Sequence, residues 1–74
     1  MMMYNIEFVR RIAGRDEPEV VDTHSMVASN LQEVIHSAGL SLRTITFRVR
    51  PEFFRIRENG GPIVFQSELT IVVR

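Results

Sequence analysis

Tyr4, Ile6 and Phe8 alternate with Asn5 and Glu7, the period of a strand with one buried face. Arg10 falls on the apolar side of that alternation, which predicts an end or a bulge there. Gly14 and Pro18 then stand among Arg15, Asp16, Glu17 and Glu19, so Ala13 to Glu19 reads as an acidic loop. Farther on the period changes. Val27, Leu31, Val34, Ile35 and Ala38 recur at the spacing of an amphipathic helix. Asp22 suits an N-cap, Val21 and Met26 a hydrophobic staple across it, and Gly39 a left-handed C-terminal cap. Together they predict a helix from about Thr23 to Ala38.

Alternation returns in the second half. Ile45, Phe47 and Val49 share one face of a predicted strand, and Phe54 and Ile56 resume the pattern on the other parity beyond Pro51. One residue has to be absorbed between the two stretches, so a β-bulge is expected near Pro51 and Glu52. Asn59-Gly60-Gly61 is a strong turn signal. Ile63, Phe65, Leu69, Ile71 and Val73 form the last inward stripe, expected to set Phe47 against Ile71 and Val49 against Leu69. Ile71-Val72-Val73 is apolar on both faces, as in a central strand.

The expected fold is α+β, in the order β-α-β-β, as a single domain over residues 1–74. One amphipathic helix packs on a three-stranded antiparallel sheet of order 1-3-2, and a right-handed crossover joins the parallel outer strands. A strand, a capped helix and a long strand pair with a glycine turn resemble the dodecins, small β-α-β-β proteins that assemble into flavin-binding shells. The resemblance covers most of the chain in element order and includes no specific motif. It is a shared architecture only, and the chain has no tryptophan to stack on a flavin.

A chain of 74 residues buries only about 60% of its unfolded surface, so its core is thin. Domains this small gain stability from disulfides, a metal or a partner subunit. With no cysteine, disulfides and thiolate sites are excluded, which leaves association. Formal net charge is zero, so no overall field draws the protein to nucleic acid or to an anionic membrane. The charge is uneven: residues 1–42 hold three arginines and six acids, residues 43–74 six arginines and three acids. Met1-Met2-Met3-Tyr4-Asn5 has no basic leader and no run is long enough to span a bilayer, so a cytoplasmic protein is expected.

No catalytic, metal-binding or phosphate-cradling motif stands out, and no enzymatic activity, metal or cofactor is expected. On the predicted helix His24 and His36 would lie ~18 Å apart along the axis and about 120° around it, too far to share a metal. His24 would fall in the apolar stripe as a packed side chain. Glu17, Glu19 and Asp22 suit a helix N-terminus better than a cation site. Gly60-Gly61-Pro62 lacks the strand-to-helix setting of a phosphate loop, and no serine has a base at a readable spacing.

Three functions from different classes follow. The first is a homo-oligomeric interaction module, dimer or larger, because one helix leaves a sheet face uncovered. Val9, Phe53, Val64 and Val72 are expected on that face. The second is a small-molecule binder with a pocket between subunits near Pro51 to Phe54. The third is a single-stranded nucleic-acid binder using Arg48, Arg50, Arg55 and Phe53, arginines with an aromatic between them. Charged edge strands explain those arginines more simply, so nucleic acid ranks last. On the first reading, a charge at Val64 or Val72 lowers the oligomer mass measured by light scattering.

Overall fold

The computed structural model describes residues 1–67 and contains one helix and a four-stranded antiparallel sheet. The strands are β1 (Met2–Arg10), β2 (Glu19–Ala28), β3 (Phe53–Glu58) and β4 (Ile63–Gln66), with helix α1 (Leu31–Thr44) between β2 and β3. The sheet order is β2-β1-β3-β4. The α+β class and the single helix agree with the sequence. The strand count and order do not. β1 pairs directly with β3, antiparallel, so no right-handed crossover links parallel outer strands. The hairpin strand β4 lies beside β3 at an edge, where the expected order placed it centrally. The additional strand β2 precedes the helix, so the order is β-β-α-β-β and departs from the dodecin arrangement.

β2 occupies residues expected to begin the helix. Val20, Val21, Thr23 and Val27 are β-branched and favour extended backbone, and their antiparallel pairing with β1 decides the matter. Asp22 is therefore a strand residue and not an N-cap. The cap is Asn30, in extended backbone at φ −156°, whose side chain accepts the Glu33 N–H at 3.0 Å. Glu33 returns the favour by accepting the Ser29 N–H at 3.0 Å, a close relative of the capping box. Gly39 lies inside the helix. The helix runs on to Thr44, where the Ile45 N–H donates to the Ser41 carbonyl at 2.9 Å.

The apolar stripe was placed correctly from Leu31 to Ala38. Val34 and Ala38 are fully buried, and Leu31, Ile35 and Leu42 pack beside them. They meet Tyr4, Ile6 and Phe8 of β1, Ala28 of β2 and Phe54 and Ile56 of β3. No strand covers residues 44–50. Phe47 alone of the expected stripe enters the core, its ring 4.9 Å from that of Phe8, while Ile45 and Val49 are exposed. The expected bulge near Pro51 is likewise absent, because β3 starts only at Phe53. The register shifts fall instead between Phe8 and Val9, facing β2, and between Ile56 and Arg57, facing β4.

The glycine turn is where the sequence put it. Asn59 and Gly60 take φ of 50° and 76°, the two successive positive values of a type I′ hairpin. The Asn59 N–H also donates to the Met3 carbonyl at 2.9 Å, fastening the hairpin to β1. Leu69, Ile71 and Val73, with the pairs expected for Phe47 and Val49, lie outside the described residues.

Asn30→Ala removes the helix cap and is expected to cost about 1 kcal/mol, while Asn30→Ser keeps most of it. The urea midpoint of each variant measures this, and an unchanged midpoint for Asn30→Ala contradicts it.

Candidate functional site

Three surfaces hold the polar side chains that could act: the sheet face away from the helix, the β2 edge, and the connection from α1 to β3. On the sheet face, β1 turns Asn5, Glu7 and Val9 toward Arg57, Arg55 and Phe53 of β3, their direct cross-strand partners. Glu7 binds both arginines. The Arg55 Nε donates to Glu7 Oε1 at 2.6 Å and the Arg57 Nε to Oε2 at 3.2 Å. The Glu7 and Arg55 side chains are each only 17% exposed. Burial by itself would raise the Glu7 carboxyl. The hydrogen bond and charge of Arg55, followed by those of Arg57, outweigh it and hold the group below its ordinary 4.5.

Val9 and Phe53 do not lie open on the sheet face, where the sequence predicts them, but are 0% and 3% exposed. Their side chains face each other across the ladder, and the Arg11 guanidinium lies 4.9 Å above the Phe53 ring. Neither presents surface to a partner or a base. Arg55 is also committed, to Glu7. Val64 is exposed, as expected, and Val72 lies outside the described residues.

The β2 edge carries His24, which sits on a strand and not in a first helical turn. Its Nε2 is 3.0 Å from Asp22 Oδ2, and its ring meets Phe8 edge-on with centroids 5.1 Å apart. His24 thus packs against Phe8 with its side chain still 35% exposed, on a strand and not in the apolar stripe of a helix. Asp22 Oδ1 accepts the Thr23 N–H at 2.9 Å. No group of three or more potential metal ligands occurs among the described residues.

Three further arginines lie in the last turn of α1 and in the connection from α1 to β3. Arg43, Arg48 and Arg50 are exposed and pair with no carboxylate among the described residues. An open cleft of about 690 Å³ lies between the end of the helix and this segment, walled by Leu42, Arg43, Arg50, Pro51 and Glu52. Arg43 lies in the last turn of the helix and Arg50 in the loop, so the two meet only through the fold.

No protein-family model, curated protein or solved structure matches the chain. No described helix is long and apolar enough to cross a membrane.

The Glu7 cluster has a defined pH signature. A carboxyl that is more acidic in the fold than in the unfolded chain stabilises the fold fully above its ordinary value of 4.5, and that stability is lost as pH falls through the lowered value. Glu7→Gln is expected to cost about 1–2 kcal/mol at neutral pH and to flatten the loss of stability in acid. Urea unfolding of both proteins, at neutral pH and at about pH 3.5, tests this; parallel losses in acid would remove Glu7 as the cause.

Proposed function

We propose that the protein is a self-associating structural module without chemistry of its own, in which copies join through the free edge of β2. The observation that carries this reading is a ten-residue strand paired on one side only among the described residues. At about 3.3 Å per residue such an edge offers roughly 33 Å of backbone donors and acceptors to another strand. Two copies related by a two-fold axis normal to the sheet would run β2 against β2 antiparallel. The sheet would then continue from one copy into the next, with both helices on the same side.

Side chains along the edge suit this arrangement. Val20 and Val27 are exposed, and Met3, the cross-strand neighbour of Val27, is exposed beside it. Edge strands are commonly protected by free charge, lysine above all, and the chain has no lysine. The two acids on β2 are already engaged. Glu19 accepts from the Arg10 Nε at 2.8 Å, and Asp22 is held by Thr23 and His24. Association would also relieve the thin core of so short a chain. The proposed role is therefore interaction, with the protein itself as partner. A contact made through Val64 on the hairpin strand β4 is a variation on the same reading.

Sedimentation equilibrium at tens of micromolar is expected to give at least twice the 8.6 kDa chain mass. Val27→Lys, at a residue more than half exposed, should shift the protein to monomer with the unfolding midpoint of the subunit little changed. A wild-type protein that sediments as a monomer removes the proposal.

A further inference from the structure

We infer that the cleft between the C-terminal end of α1 and the segment leading into β3 binds a small organic anion, a phosphate or carboxylate attached to a compact apolar body. The site is independent of the β2 edge. Two adjoining depressions meet there: one of about 690 Å³ floored by Leu42 and Pro51, and one of about 250 Å³ reaching Phe47 and Ile45. Arg43 and Arg50 line both. The larger depression is open to solvent and joins two apolar residues, Leu42 and Pro51, to three charged ones.

The charge balance singles out this place. Four other arginines are paired at close range, Arg10 with Glu19, Arg11 with Glu52, and Arg55 and Arg57 with Glu7, while the exposed Arg15 and Arg48 line neither depression. Arg43 and Arg50 converge on one cleft and have no carboxylate partner among the described residues. Arg43 in the last helical turn is partly explained by the negative end of the helix dipole, but Arg50 has no such reason to be there. Glu52, the one acid in the wall, is turned to Arg11: its Oε1 accepts the Arg11 backbone N–H at 2.9 Å and lies 3.9 Å from Nη1. A negative ligand group therefore meets two guanidinium forks without displacing a carboxylate among the described residues. Planar forks match the oxygens of phosphate and carboxylate, and the apolar floor receives the remainder of the ligand.

Amide-resolved NMR of the full chain tests the site, with phenyl phosphate, inorganic phosphate and single-stranded octathymidylate as probes. Phenyl phosphate should saturate and move the amides of Leu42 to Phe47, Arg50 and Glu52, binding at least about tenfold more tightly than inorganic phosphate. Arg43→Gln and Arg50→Gln should each weaken it about tenfold, whereas Arg48→Gln, outside both depressions, should leave it unchanged. All three positions are exposed, so the fold tolerates the changes. Val27→Lys should bind as the wild type does, which keeps this result apart from the assembly state. Shifts spread over the arginines of the whole surface, or equal affinity for both phosphates, would overturn the inference. So would octathymidylate binding more tightly than phenyl phosphate with dependence on Arg48, which would assign the arginines to a nucleic-acid strand.

Discussion

The pairing of β1 on both of its edges is the constraint on which the other elements depend. Because β2 and β3 flank it, each side chain from Tyr4 to Val9 is set by cross-strand partners on two sides. Alternation then sends Tyr4, Ile6 and Phe8 toward the helix and Asn5 and Glu7 the other way. The first set builds the apolar core, and Glu7 gathers two arginines on the opposite face. A slip of one residue would put the arginine-binding carboxylate into the core and Phe8 into the polar cluster. The register shift at Phe8 and Val9 refines the rule, since both consecutive residues are fully buried, one on each face.

Much of this was legible where a single period dominates. The stretch Tyr4 to Phe8 has no competing reading, and neither does Asn59-Gly60, where both residues take the left-handed backbone of a tight hairpin. The helical stripe from Leu31 to Ala38 was equally clear. Its beginning was not. Val20 to Val27 satisfies a helical staple and a strand about equally well, and only pairing with β1 chooses between them. A local signal for the true boundary was present in Asn30 and Glu33, a cap and its acidic partner three residues on. Residues 44–50 show the converse error: alternation without burial, since Ile45 and Val49 face water and Phe47 alone reaches the core.

The polar surfaces were less legible, for a geometric reason. Glu7 and Arg55 are 48 residues apart and meet only because β1 and β3 are neighbours, a pairing the expected strand order excluded. With Arg55 engaged and Phe53 buried, the run that looked like an arginine-aromatic strip divides. Its upstream members, Arg48 and Arg50, are the ones left open to solvent. The helix continues through Gly39 to Thr44, which carries Arg43 alongside Pro51.

The two ladders of β1 also differ in when they can form during synthesis. The β1–β2 hairpin closes across a short loop and can assemble as soon as its own residues leave the ribosome. The β1–β3 ladder waits for Phe53–Glu58 to emerge, some fifty residues after the strand it joins. Until then a nascent hairpin has both of its outer edges open, and the amphipathic helix, made next, is the first element able to shelter its apolar side.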